Sequence, residues 1–322
     1  MKANGLKFKL LLLILSVGFS SCDKEESLIS DNSDSSEKFR LLKVLNYSDS
    51  SASNLTGETV YEYDETGNVV KETVFLSWNS ELHIQSYYEY EYSGNKKVKE
   101  KLFYRNVFPT GNLNFNHYVD YFYDGDLLVK TERYSGGGSF SYSEHYKYDT
   151  KGNLVENYSY DPSWIGKGVW GGIYDTGIYG HKKYVYDNQN RLITELTSDG
   201  VVDFYPCRKY TYNNDGKVAK IEYLEYEGLS GYDENVYNNR KMLELVFSYD
   251  KNGNQNRKVQ HYYDGLGNLT ESKINDECSI FKRQYDGKLL IEEIHYWAHE
   301  YGYHFWGQAP ESGMSRYEYE EF

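Results

Sequence analysis

One phrase governs what this chain can fold into. YEYDETGNVVKE begins at Tyr61, and its layout returns as YFYDGDLLVKTE at Tyr121, YKYDTKGNLVEN at Tyr146 and YVYDNQNRLITE at Tyr184. YTYNNDGKVAKI at Tyr210 and FSYDKNGNQNRK at Phe247 follow. Looser copies start at Tyr90 and Arg283, and another, YYDGLGNLTESK, starts at Tyr262. The Tyr closing each first arm falls at 63, 92, 123, 148, 186, 212, 249 and 285, at intervals of 29, 31, 25, 38, 26, 37 and 36 residues. Self-similarity at such a period marks a repeat architecture, in which each unit buries its face only against its neighbours.

Each copy reads as a β-hairpin. Tyr-x-Tyr sets two rings on one face of a strand, because strand side chains alternate. Asp opens the turn, and Gly-Asn or Gly-Lys tolerates positive φ. An apolar pair such as Val69-Val70 or Leu154-Val155 then starts a return strand that turns polar with Lys and Glu. A lone hairpin is marginal in water, so the hairpins must pair with one another. Thirty-seven tyrosines against four prolines suit pleated, half-buried strands. Helical periodicity is not sustained over any 12-residue stretch.

The phrase YxYDxxGNL, over about residues 61–296, resembles the YD or Rhs repeat of bacterial surface and toxin-shell proteins. That resemblance implies hairpins wound into a spiralling sheet, which closes into a shell in the toxins. The copies here are few and loosely spaced, and no toxin domain follows them. The expected fold is therefore all-β: an antiparallel array of Tyr-Asp β-hairpin repeats over residues 39–322, forming a curled or open sheet. The closing YEYEEF reads as an unpaired half-repeat.

The N-terminus carries an address. Lys2, Lys7 and Lys9 precede an apolar run from Leu10 to Val17, and Ser20-Ser21 lead into Cys22. This is the layout of a secretory signal, and the run is too short to span a bilayer. FSSC resembles a bacterial lipobox, with Phe19 departing from the usual Leu. The resemblance implies a signal peptide over 1–21 and lipidation of Cys22. The acidic, serine-rich stretch 22–38 has little to bury and reads as a flexible tether. Asp23-Lys24-Glu25-Glu26 resembles the export signal of surface lipoproteins in the Bacteroidetes, which implies an outer-membrane lipoprotein exposed at the cell surface.

Losing residues 1–21 takes the net charge from −14 to −17, since three lysines go with them. Such a chain repels phosphate backbones, and nucleic acid is not expected as a partner. Cys207 and Cys278 are the cysteines beyond Cys22, and sequence leaves open whether they pair.

Candidate sites lie in the excursions between hairpins, because loops on a rigid frame carry recognition. Asp161 to Lys183 brings Trp164, Trp170, Tyr174 and Tyr179 among six glycines, and such aromatics present faces on which sugar rings stack. His295 to Gly313 adds Trp297 and Trp306. In that stretch His295, His299 and Glu300 are residue types that ligate zinc, but His304 falls one residue late for HExxH. GxSxG, phosphate-loop and CxxC motifs are absent from the sequence. The expectation is a non-catalytic binding or scaffold module without a cofactor, held at the membrane by its lipid, with a glycan or an envelope protein as partner. The alternatives are a structural envelope protein or short Rhs-like adhesin, and then a hydrolase.

Overall fold

The computed structural model describes residues 39–165, 168–169, 172–173, 176–198, 203–275, 278–296 and 312–321. The signal peptide, Cys22 and tether lie outside the described residues, as do Trp170, Tyr174, Trp297, His299, Glu300 and Trp306.

The first half of the sheet comprises β1 (Phe39–Tyr47), β2 (Leu55–Tyr63), β3 (Val69–Trp78), β4 (Glu81–Ser93), β5 (Lys96–Arg105), β6 (Leu113–Asp124), β7 (Leu127–Ser135), β8 (Phe140–Tyr148) and β9 (Leu154–Tyr160). A 3₁₀ turn (Pro162–Trp164) and a small ladder of β10 (Gly168–Val169) with β11 (Gly172–Ile173) interrupt it. The second half comprises β12 (Ile178–Tyr186), β13 (Leu192–Ser198), β14 (Tyr205–Tyr212), β15 (Val218–Glu225), β16 (Gly228–Tyr237) and β17 (Leu243–Asp250). It ends with β18 (Gln255–Tyr263), β19 (Leu269–Ile274), β20 (Cys278–Asp286), β21 (Leu289–Tyr296) and β22 (Ser312–Glu321).

Apart from β10 and β11, these strands form one 20-stranded antiparallel sheet, and it closes. β22, which holds YEYEE, pairs with β21 on one side and with β1 on the other, so that Val44 faces Tyr317 and Phe39 faces Glu321. The expected curled or open sheet is thus corrected to a barrel, and the half-repeat is its closing strand. Open, strongly twisted sheets rarely pass about ten strands before curling. Closure also removes the two exposed edges that such a sheet would leave.

The tyrosine that ends each first arm is a bolt between hairpins. Tyr92 donates its hydroxyl to the Val69 carbonyl, and Val69 is itself opposite Tyr63 in the preceding hairpin. The same relation holds for Tyr63, Tyr123, Tyr148, Tyr186, Tyr212, Tyr237, Tyr263, Tyr285 and Tyr319, at 2.5 to 3.0 Å. Tyr319 reaches Leu290, and Tyr63 reaches Leu41 opposite Tyr319, so the ten bonds run once around the rim and meet. A register shift sits at this point in every such pair, for instance between Glu62 and Tyr63 and between Gln284 and Tyr285. A bulge disrupts the local ladder, and the incoming hydroxyl supplies a partner to a nearby carbonyl.

Most turns on this rim share one chemistry, while β4–β5, β6–β7 and β20–β21 are joined by two residues. Asp64 accepts from the backbone N–H of Thr66 and Asn68, and its other oxygen accepts from the Asn68 side chain at 3.0 Å. These hydrogen bonds from Asn68 and Thr66 hold its carboxyl down at about 2. Gly67 follows at φ 89, the left-handed position that such a turn demands.

The ring also corrects the repeat count. Tyr249 is not one of its members: β17 and β18 turn around residues 251–254 at the opposite end, and the Tyr249 ring stacks on Tyr232 at 4.7 Å. The tenth bolt is supplied by Tyr237, whose turn has Asn238 in place of Asp and Lys241 at φ 60 in place of Gly.

Two faces result. The residue between the paired tyrosines is exposed in most copies (Glu62, Glu91, Phe122, Lys147, Val185, Thr211), whereas the tyrosines are sheltered. The tyrosines therefore line the crowded concave side. Among the described residues, Val259 and Met314 are the buried apolar side chains. Barrels of 16 to 18 strands already leave an aqueous channel, and 20 strands likewise enclose more space than their inward side chains fill.

Candidate functional site

The barrel has two unlike rims. One carries the tyrosine ring, the tight Asp turns and both ends of the barrel chain, Phe39 and Glu321. The other carries the longer connections among the described residues, including 48–54, 106–112 and the segment 161–165 that follows β9. Loop length alone thus places candidate recognition residues at one mouth.

Of the residues singled out in the sequence, Trp164 and Tyr179 come together there. Asp161 caps the 3₁₀ turn by accepting from Ser163 N–H at 2.8 Å, which sets Trp164 against Tyr179 with centroids 5.3 Å apart and planes 15° apart. Gly177, at φ +69, makes the turn back into β12 possible: a Cβ there would lie 2.7 Å from the Asp161 carbonyl. One face of the Trp164 indole is therefore covered. Burial also pushes the Tyr179 hydroxyl up.

A second aromatic group lies on the β3–β4 hairpin. Trp78, at its tip, is 49% exposed. Register places Trp78 opposite Glu81 and Leu76 opposite His83, on the face that deeper in β3 carries Glu72, so this group looks toward the lumen at its mouth. Phe108, from the next loop, meets Trp78 at 6.2 Å and His83 at 6.1 Å, edge-on to both at 83° and 88°. Val107 beside it is 61% exposed.

The lumen wall is polar and satisfied. Tyr90 donates to Glu72 at 3.3 Å and Tyr121 to Glu100 at 3.2 Å, while Lys97 pairs with Glu100 at 3.0 Å. Burial, then the Glu72 carboxylate, pushes Tyr61 up to about 12, and burial raises Glu72 itself. Glu293 is buried between Arg283 and His295, the latter at 2.5 Å. Burial works to raise its carboxyl, but the hydrogen bonds from His295 and Arg283 win and hold it below the usual range. His295 is thus committed to a carboxylate. Among the described residues no three potential ligands gather as a metal site.

Two Ser–His pairs have the spacing of a nucleophile and base: Ser143 with His145 at 2.9 Å, and Ser272 with His261 at 2.6 Å. Ser143 and Ser272 are both buried within the sheet. Burial lowers both imidazoles, and they act as hydrogen-bond partners inside the wall. Cys207 is a free, half-buried thiol. Five strands separate β14 from β20, which starts at Cys278, a span of about 29 Å along the sheet that no disulfide bridges.

The outer wall is laced with ion pairs: Lys99–Asp120 at 3.1 Å, Lys130–Glu132 at 2.9 Å, Lys147–Glu156 at 3.0 Å, Lys220–Glu222 at 3.1 Å and Arg316–Glu292 at 3.1 Å. Each Lys or Arg on a lipid-facing barrel wall costs about 2–4 kcal/mol at the bilayer midplane. Ion pairs of this kind would therefore be costly against lipid and cost little against water.

No family model and no curated protein matches the chain. Among solved structures, it is similar to a porin-like protein from Bacteroides uniformis, at 11% identity over 87% of this chain and 98% of that one, with a TM-score of 0.37. It is similar to a protein of unknown function from Bacteroides fragilis, at 14% identity over 39% of this chain and 82% of that one, with a TM-score of 0.28. A chain of the Photorhabdus luminescens Tc holotoxin pore matches at 13% identity, over 75% of this chain and 14% of that one, with a TM-score of 0.27.

Sequence reading passed over Trp78 because it follows loop length, and Trp78 flanks a two-residue turn, Asn79-Ser80. The signal was present: FLSWNSELH places a large aromatic beside residues suited to positive φ, and Asn79 and Ser80 adopt φ 50 and 66.

Proposed function

We propose that this protein is a non-catalytic binding barrel of the cell envelope, tethered to the outer membrane by a lipid on Cys22, which holds its loop-bearing mouth away from the bilayer. The observation that carries the reading is the opposition of the two rims. The chain enters the barrel at Phe39 on the tyrosine rim, beside its last strand, and the long loops leave the other rim. A tether over 22–38 would join the barrel on the tyrosine rim, opposite the aromatic mouth, with a reach of at most about 60 Å. The ion-paired outer wall supports a barrel that stands in water on its anchor. Loop aromatics such as Trp164 and Tyr179 then face partners of the envelope, glycans among them.

Fractionation of cells expressing Cys22→Ala tests the anchor: the barrel is expected to move from the membrane to the soluble fraction. In a background lacking Cys207 and Cys278, Lys251→Cys in the β17–β18 turn on the loop rim is expected to react on whole cells with a membrane-impermeant maleimide. A Cys22→Ala protein that stays in the membrane, or a Lys251→Cys that is shielded on whole cells, contradicts the reading.

A further inference from the structure

We propose that Trp78, at the mouth of the barrel, is a stacking site for a neutral pyranose, with Glu81 and His83 bonding the hydroxyls at the sugar's edge. The inference rests on the reading of this protein as a binding module and names the chemical class it takes.

Several aromatic rings elsewhere on the barrel have spent a face on one another. Tyr87 lies on Phe103 at 13° and 4.5 Å, and Tyr118 on Tyr134 at 11° and 4.8 Å. Trp164 lies on Tyr179 at 15°. Such stacked pairs present edges to water and brace the sheet. Trp78 differs. Among the described residues its ring meets Phe108 at 83°, an edge-on contact that fixes the indole and leaves it 49% exposed.

A pyranose has an apolar face of axial C–H groups and a rim of hydroxyls, and a site for it pairs an open aromatic face with donors and acceptors around the edge. The β3–β4 turn supplies both within one hairpin. Glu81, 80% exposed at its side chain, lies 3.8 Å from the His83 imidazole and directly opposite Trp78. Asn79 and Ser80 form the turn between them. The mouth of a barrel is a usual place for such a site, because the frame beneath it is rigid. Phe108, edge-on to both Trp78 and His83, holds the stacking ring and the hydrogen-bonding ring in one arrangement.

Affinity electrophoresis of the full mature chain through gels containing dextran, mannan, xyloglucan, xylan or galactan tests this. At least one polysaccharide is expected to retard the wild type. Trp78→Ala should weaken that binding at least about tenfold, Trp78→Phe should keep part of it, and Trp164→Ala should leave it within about twofold. Circular dichroism checks that each variant is folded. Folded wild type that none of the five retards overturns the proposal, as does retardation that Trp78→Ala leaves intact. Concentration-dependent self-association abolished by Trp78→Ala also overturns it, because the patch then belongs to a second copy. Loss of this site leaves the whole-cell maleimide result standing, and mislocalisation leaves the gel result standing, so the two readings fail separately.

Discussion

The two rims of this barrel are built from the same hairpins and follow opposite rules. On the tyrosine rim every position is spoken for. Asp64 is bonded by its own turn, Tyr63 by Leu41, and Val69 by Tyr92, and the tyrosine bond recurs around the ring. On the loop rim the connections differ in length and sequence, and Trp78 and Val107 stand exposed. The difference separates repetition that makes a frame from variation that the frame makes affordable. The ring keeps its tyrosine bond even where the turn varies, as at Asn238 and Lys241, whereas the far ends of the same strands are free to diverge.

The sharpest way to break that comparison is to remove the closing strand. Truncation after Glu311 deletes β22 and exposes the edges of β1 and β21 together. Loss of the cooperative monomeric fold is expected, seen as a vanished melting transition and aggregation on size exclusion. On the loop rim, the double change Trp78→Ala, Phe108→Ala should move the melting temperature by only a few degrees.

Next in size is Gly177→Ala, which forces an L side chain to positive φ against the Asp161 carbonyl. A cost of about 2–3 kcal/mol is expected. Denaturant titration measures it, and loss of the Trp164–Tyr179 stack should appear in near-ultraviolet circular dichroism.

The neighbours Tyr262 and Tyr263 make a cleaner contrast. Tyr263→Phe removes a bolt to Leu243 and leaves a sheltered carbonyl unpaired, at about 1–2 kcal/mol. Tyr262 points to the outer wall, and Tyr262→Phe should fall within about 0.5 kcal/mol of wild type. Equal costs would show that the ring is not the frame.

The pH response follows from His117. Burial, then Arg133, lowers its imidazole to about 4, with Arg133 3.0 Å from Nδ1. The unfolded chain binds this proton near pH 6.5 and the folded chain only near pH 4. Stability is therefore whole above pH 6.5 and declines as pH falls toward 4. His145 and His261, also lowered by burial, act in the same sense. His117→Gln should shrink the difference in melting temperature between pH 7 and pH 5.

Lys241→Gly is the smallest change. It relieves a non-glycine residue at φ 60 and loses an exposed 2.8 Å ion pair to Asp215. A net gain of about 0.5 kcal/mol is expected from chemical denaturation.

The hairpin was legible in the sequence because its grammar is local: two rings two residues apart, an acid that closes its own turn, a glycine at the left-handed position. The same locality explains the errors. Asp250 to Asn254 repeats that grammar at the wrong end, since a turn does not know which rim it occupies; Tyr249 could be told from a bolt only by the face its ring takes. Tyr237 was hidden because Asn238 and Lys241 do the work of Asp and Gly. Closure was not legible, because it depends on twist and bulges accumulated over twenty strands and on pairing Val44 with Tyr317. At the mouth, Trp164 and Tyr179 were found through the length of their loop. Trp78 was not, because it stands beside the tightest of turns.

The most direct test of a closed barrel is the distance between its first and last strands. Leu45 and Arg316 face each other across the seam. In a chain whose native cysteines are replaced, Leu45→Cys and Arg316→Cys should cross-link within the monomer under mild oxidation, since opposed residues on adjacent strands lie about 5 Å apart at Cα. An open sheet of twenty strands would hold them about 90 Å apart. A monomer that forms no such cross-link, with spin labels at the two sites reporting tens of ångströms, would contradict the barrel.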